Sequence, residues 1–230
     1  MENHLHVMAF FLLLASLRWW WRDRNDYFAS GNLSIYYPVT SRTGRTVQKK
    51  LAFRGPDFFV VLDPKPKKLR NSWVVENEDG KYPDVIVELL SKSTRANDRG
   101  KKKQIYETVF KTPEYFLFDP QALTLEGYHL VRGRYAAIRP DARGRLWSDK
   151  LEVSLGVHDG SLRLFTEKGK LVPLPDEAAL HAMGRAKHEA ARARQEAARA
   201  DRLERENARL LAELRALSEK TEKKKPSKRR

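Results

Sequence analysis

The run VIVELL, at residues 85–90, is apolar at every position but one. Strand side chains alternate between faces, so a run apolar on both must be covered on both, as happens in sheets packed between other layers. Residues 57–62 (DFFVVL) and 114–118 (EYFLF) read as two further strands, punctuated by Gly55-Pro56, Asp63-Pro64 and Asp119-Pro120. After VIVELL, Ser93 or Thr94 can cap a helix reaching about Phe110, in which Ile105 and Val109 share an apolar face. An apolar helix over about residues 4–22 and a strand at 32–37 (NLSIYY) precede these elements, followed by a polar stretch at 40–50 with Gly44 as its turn. The order helix, strand, strand, strand, helix, strand predicts an α/β core built on a mostly buried mixed sheet.

The apolar run at 7–17 is far short of the roughly 20 residues that span a bilayer. MENHLH ahead of it has no Lys or Arg, and no small-residue cleavage site follows, so a core helix is expected rather than an export signal. The expected location is cytoplasmic, with no membrane partner. Three consecutive tryptophans, Trp19 to Trp21, point to different sides of a helix and suit packing better than base stacking.

Beyond Pro120, short strands at 125–130, 135–138, 153–157 and 162–165 alternate with Gly-containing turns and read as structural hairpins. From about Asp176 the composition shifts to Ala, Glu, Arg and Leu. Leu203, Leu210 and Leu217 occupy d positions of a heptad whose a positions include Asn207 and Leu214. Leu at d with a polar Asn at a favours a parallel two-stranded coiled coil. The expected organisation is a globular domain over 1–172, a helix over 176–219 and a disordered basic tail over 220–230. The helix makes a homodimer or binds a helical partner, or, since its first half is Ala-rich with Glu189 and Glu196 at d, stands as a solvated single helix.

The 230 residues carry 45 Lys and Arg against 30 Asp and Glu, a formal charge of +15. Nucleic acid is therefore the first partner to consider. The tail, with seven basic residues and one acidic, holds +6 of that excess. More informative are the clusters Lys65, Lys67, Lys68, Arg70 and Arg95, Arg99, Lys101, Lys102, Lys103, which flank the apolar strands. Cysteine is absent, which excludes disulfides and thiolate metal sites and leaves oxygen-ligated hard cations.

Glu88 is the exception within VIVELL, and a carboxylate buried there must be paired, protonated or metal-bound. Asp84, Ile86 and Glu88 share one face. If the strands at 57–62 and 85–90 are antiparallel neighbours, Asp57 lies nearer Glu88 than Asp84. Two carboxylates so placed can hold Mg²⁺ through oxygen ligands. Asp98, Lys102 and Tyr106, at i, i+4 and i+8, form a stripe from which Lys102 can reach back over the strand ends. Either acid of a Pro-Asp turn can also be structural, and Asp98 with Lys102 can be an ordinary helix pair.

The run PDVIVELLSKSTRANDRGKKKQIYETVFKTPEYFLFDP, at 83–120, resembles the signature of the Uma-type putative restriction endonuclease family, within the PD-(D/E)XK nuclease superfamily. Gly55-Pro56-Asp57 followed by FFVVLD resembles that family's first Pro-Asp strand, and GNLSIYY and LRWWWRDR are similar to members with a C-terminal coiled coil. The resemblance implies a restriction-endonuclease-like core, DNA as substrate, and Mg²⁺ or Mn²⁺ held by Asp57 and Glu88, with Asp84 a further acidic contributor. The superfamily places a lysine two residues after the Glu, where this chain has Leu90. Lys102, in the Asp98, Lys102, Tyr106 stripe, best matches a lysine that has moved to the helix. Lys67, Lys68, Arg95 and Lys101 are the expected phosphate contacts. Two alternatives stand beside a metal-dependent endonuclease: a silent nucleic-acid-binding module, and an adaptor working through its C-terminal helix.

Overall fold

The computed structural model describes residues 4–43, 46–65 and 69–223. An N-terminal helix, His4–Trp20, precedes the strands β1 (Tyr27–Ser30), β2 (Ile35–Thr43), β3 (Thr46–Arg54), β4 (Phe58–Leu62), β5 (Trp73–Val74) and β6 (Val85–Leu89). A helical segment over 95–110 leads to β7 (Glu114–Asp119), β8 (Thr124–Val131), β9 (Arg134–Ala137), β10 (Leu146–Ser148), β11 (Val153–His158) and β12 (Ser161–Phe165). The central sheet has the order β1-β4-β6-β7-β8-β9, and only the β6–β7 pair is parallel. That single parallel pair requires a crossover, which the 95–110 helix supplies.

Both faces of the central sheet are covered, as its doubly apolar strands demand. On one face Phe58, Val60, Val85, Val87, Phe116 and Phe118 pack with Ala9, Leu13 and Leu17 of the N-terminal helix and with the β10-β11-β12 sheet. The spacing of four between those three helix residues supplies the buried stripe. Trp21 closes the helix end with its ring 4.8 Å from Tyr27. On the other face Phe59, Val61, Ile86, Tyr115 and Leu117 pack with Tyr106 and Phe110 of the 95–110 helix and with Ile35, Tyr37 and Trp73 of the β3-β2-β5 sheet. Among the described residues no helix is long and apolar enough to cross a membrane.

One local expectation changes, and two strands have no sequence signal. The stretch at 40–50 is part of a two-stranded ribbon, with Ile35 paired to Arg54 and Thr43 to Thr46. β-branched Val39, Thr40, Thr43, Thr46 and Val47 favour pairing over an irregular loop. Gly44, the expected turn, lies outside the described residues. β1 and β10 are too short for a periodic signal and exist through pairing with β4 and β11.

Glu114 explains how the second small sheet is anchored. Its buried carboxylate accepts hydrogen bonds from the Ser148 hydroxyl and from the backbone N–H of Asp149 at 2.7 Å and Lys150 at 3.2 Å. A carboxylate at the start of an apolar strand is thus spent on closing a turn.

The chain divides after Pro175 into two units. The second, Asp176–Arg230, holds all but the first residue of a helix, Pro175–Lys223, with i,i+4 ion pairs Arg192–Glu196 at 3.0 Å and Arg209–Glu213 at 3.1 Å. It continues into the segment expected to be a disordered tail, of which 224–230 lie outside the described residues.

Candidate active site

Strands β4 and β6 run antiparallel with Phe58 opposite Val87 and Phe59 opposite Ile86, which sets Asp57 beside Glu88. Their backbones and side chains interlock. The Asp57 N–H donates to Glu88 Oε2 at 3.3 Å, and the Leu89 N–H donates to Asp57 Oδ2 at 2.6 Å. Glu88 is fully buried, whereas Asp57 is partly open to solvent.

The 95–110 helix completes the group. It alternates between α turns at Arg95–Asn97 and Lys103–Ile105 and π turns at Asp98–Lys102 and Tyr106–Phe110. In a regular α-helix residues four apart drift steadily round the axis, because a turn takes 3.6 residues. A π turn, hydrogen-bonded i to i+5, drifts the opposite way, so alternating the two keeps Asp98, Lys102 and Tyr106 in line. Lys102 Nζ lies 3.0 Å from Glu88 Oε2 and 3.0 Å from Asp98 Oδ1, while the Tyr106 hydroxyl donates to Glu88 Oε1 at 2.9 Å. Lys101 is exposed, and Lys103 turns its ammonium onto the Tyr128 ring, 3.4 Å from the centroid.

Burial and crowding set the charges. Burial pushes the Glu88 carboxyl up to about 8, against the pull of Lys102, and Asp57 and Asp98 push in the same direction as burial. Asp57 is also raised, chiefly by burial, with the Leu89 N–H and Lys102 opposing the rise. Burial disfavours the Lys102 ammonium, but Glu88 and Asp98 together outweigh it and hold the amine above its ordinary range. Lys102 is therefore a fixed cation and not a proton acceptor. Burial, with help from Glu88, keeps the Tyr106 phenol protonated and a donor.

The donor set fits a hard divalent cation. Two carboxylates, Glu88 and Asp98, share one ammonium in buried surroundings, and Asp57 adjoins Glu88. Asp98 is 1% exposed, and despite the close ammonium neither of its oxygens completes a hydrogen bond. Such a group is short of positive charge. Among the described residues no three His, Cys, Asp or Glu side chains are spaced to enclose a metal. Two carboxylates with water making up the shell is the way Mg²⁺ is usually held, since it dehydrates reluctantly.

Other expected site residues are dispersed. Asp84 lies four residues from Glu88, roughly 13 Å along the strand, where its carboxylate accepts the Leu62 N–H at 2.8 Å. It shares the face of Glu88 but not its site. Lys67 and Lys68 lie outside the described residues. Their neighbours Lys65 and Arg70 follow the C-terminal end of β4, and Asp57 precedes its N-terminal end, so the strand separates that cluster from the carboxylates. Arg70 is consumed by a buried pair with Glu78, and Lys65 meets Asp79 at 2.8 Å. Arg95 stands at the correct end of the sheet but bonds Asp119 at 2.8 Å. The sequence around His6 signals no role. It borders a small cavity with Asn32, Asp57 and Leu89, and its Nε2 sits 3.2 Å from the Leu90 carbonyl oxygen. Nothing local signals this, because 84 residues separate the two partners.

The family model of Uma2, described as a putative restriction endonuclease, matches residues 1–163. The chain belongs to the Uma2 family. Its match ends close to the division after Pro175, so the Uma2 segment and the domain that holds the carboxylates nearly coincide. Among solved structures, a nuclease of the DUF820 group from Anabaena variabilis, titled putative, is 16% identical with a TM-score of 0.46, over 66% of this chain and 75% of that one. No curated protein matches this chain. The expected fold class holds: a mixed sheet flanked by helices, with added hairpins and a long C-terminal helix. Uma2 membership supports nuclease function.

Proposed function

We propose that this Uma2 protein is a divalent-metal-dependent endonuclease that hydrolyses phosphodiester bonds of DNA. The observation that carries the reading is that Glu88 and Asp98 share the ammonium of Lys102 at one end of the central sheet while Asp57 adjoins Glu88. Asp57 and Glu88 are the residues that would hold the ion. When bound, Mg²⁺ or Mn²⁺ supplies Lewis acidity that lowers the pKa of water and offsets charge on a phosphate. Lys102, its side chain 15% exposed and locked between Glu88 and Asp98, presents a permanent positive charge to the transferring phosphate. Tyr106 orients Glu88 through Oε1, and Asp98 positions Lys102. The lysine missing at Leu90 is thus replaced from the helix.

Purified protein is expected to cut DNA with Mg²⁺ or Mn²⁺ and not in EDTA, and Glu88→Ala is expected to lower cleavage by at least about a hundredfold. Equal cleavage by Glu88→Ala would show that the site lies elsewhere. Binding of DNA with no cleavage under any divalent metal would leave the silent module.

In this reading the C-terminal helix joins two copies. Leu203, Leu210 and Leu214, at heptad positions d, d and a, are 52%, 51% and 63% exposed in the single chain. An apolar seam of this spacing is what a parallel partner covers. Light scattering is expected to give a dimer for the full chain and a monomer for Leu203→Asp/Leu210→Asp. A wild-type monomer at micromolar concentration would refute it.

A further inference from the structure

We infer that the β2–β3 ribbon is an arm that grips duplex DNA beside the carboxylates, an inference that rests on the nuclease reading. Its position comes from the chain itself. β3 ends at Arg54, three residues before Asp57, so whatever the ribbon holds is tethered to the candidate site. The ribbon also packs on the sheet face that carries Glu88 and the 95–110 helix, with Tyr37 4.9 Å from the Phe110 ring. Two elements bearing Lys and Arg thus stand on the same face of the sheet as Asp57 and Glu88.

The composition of the ribbon is one-sided. Residues 35–54 contain five Lys and Arg and no Asp or Glu. Elsewhere the basic residues near the strand ends are used internally: Arg70 on Glu78, Arg95 on Asp119, Arg99 on Glu126. Lys49 and Lys50 are exposed, and no carboxylate among the described residues pairs with them or with Arg54, whose guanidinium bonds the Phe53 carbonyl. Only Ile35 and Tyr36 of β2 pair with β5, so beyond them the element is two strands wide. A two-stranded ribbon is one of the shapes that the DNA major groove admits.

The outward face adds a second signal. Ala52 packs against the core, so by alternation Lys49, Leu51 and Phe53 point away from it. Leu51 and Phe53 are 57% and 58% exposed, opposite Pro38 and Tyr36, and the Phe53 and Tyr36 rings are 5.8 Å apart. Lysines on an edge strand by themselves serve to prevent edge-to-edge pairing. That purpose does not account for exposed Leu and Phe beside them. A second copy docking along β3 would set lysine against lysine, whereas a polyanion with apolar sugar and base edges satisfies both halves of the surface.

The test measures binding of full-length protein to a fluorescent duplex as a function of salt, in the Glu88→Gln background so that the duplex stays intact. Lys49→Gln/Lys50→Gln/Arg54→Gln removes three cations, Lys49 from the outward face and Lys50 and Arg54 from the other, which a ribbon lying in a groove presents to the two phosphate backbones. It is expected to lower the salt slope by about 2.7 and the affinity on the order of a hundredfold at physiological salt. Leu51→Ser/Phe53→Ser is expected to weaken binding with the slope unchanged. Arg132→Gln/Lys168→Gln/Lys170→Gln removes equal charge at exposed positions of other turns, and is expected to have under a tenth of the effect. Unchanged affinity and slope in both ribbon variants, or an equal loss in the charge control, would overturn the arm. If Glu88→Ala still abolished cleavage, the nuclease reading would survive that result. Stronger ribbon-dependent binding of the single strand would overturn the duplex assignment, and no DNA binding by any form would overturn both.

Discussion

Glu88→Gln is expected to stabilise the metal-free protein at and above about pH 8 while removing its response to Mg²⁺ or Mn²⁺. In the unfolded chain a glutamate titrates near about 4.3, whereas in the folded chain Glu88 keeps its proton up to about 8. Between those two values the unfolded state sheds a proton that the folded state retains. The contribution is therefore fully present below the unfolded pKa and is lost as pH rises through the folded one. At roughly 1.4 kcal/mol per pKa unit the loss is of the order of several kcal/mol. Gln has the shape of Glu and no proton to lose. Its carbonyl can face Lys102 and the Asp57 N–H, and its amide can donate to Tyr106, whose hydroxyl also accepts. Thermal unfolding in EDTA from about pH 5 to about pH 9 should show wild type falling and Glu88→Gln nearly level in this contribution. Added Mg²⁺ should raise the wild type most at the alkaline end, where the carboxylate is already free, and leave the variant unmoved. A wild-type curve without the extra fall, or an equal metal gain in both proteins, would contradict the assigned role of Glu88.

Arg70→Ala is expected to cost about 3–5 kcal/mol of stability, and Glu78→Ala a similar amount. The pair is bidentate, with Nε to Oε1 and Nη2 to Oε2 both at 3.0 Å, and the two side chains are 4% and 3% exposed. The guanidinium also lies 5.0 Å from the Phe28 ring centroid and 5.2 Å from that of Trp73. Truncating either partner leaves the other charge buried and uncompensated, which is the expensive case. Replacing both by apolar residues of similar size, Arg70→Met with Glu78→Leu, should recover most of the loss, because neither charge then has to be desolvated. Urea unfolding midpoints of the three variants decide the matter. A loss within about 0.5 kcal/mol for Arg70→Ala would mean that the arginine is held as loosely as a surface cation.

The burial of Arg70 limits how far a basic cluster can be read from sequence. Lys65, Lys67, Lys68 and Arg70 look alike as a run of charge, but Arg70 is drawn into the interior by Glu78 and two aromatic rings, and Lys65 is matched to Asp79. Pairing of this kind depends on which loop folds against which, information that no local composition contains. The ribbon shows the converse. Lys49, Lys50 and Arg54 meet no carboxylate among the described residues, and its exposed Leu51 and Phe53 emerge only when the burial of Ala52 fixes which face is outward.

From sequence alone, periodicity and punctuation identified the buried strands, the helix between β6 and β7, and Glu88 as a carboxylate that burial cannot leave alone. These are local properties: alternation on a strand and apolar character decide what must be covered. The proximity of Asp57 to Glu88 needed one added assumption, antiparallel neighbours, which the β4–β6 register satisfies. Tertiary structure alone decided the rest of the site. The π turns swing Lys102 and Tyr106 onto Glu88, the same packing buries Asp98 beside them, and the length of β6 removes Asp84 from the group. Helix phase and strand length act over distances that a local pattern does not specify, so the residue types were legible and their convergence was not.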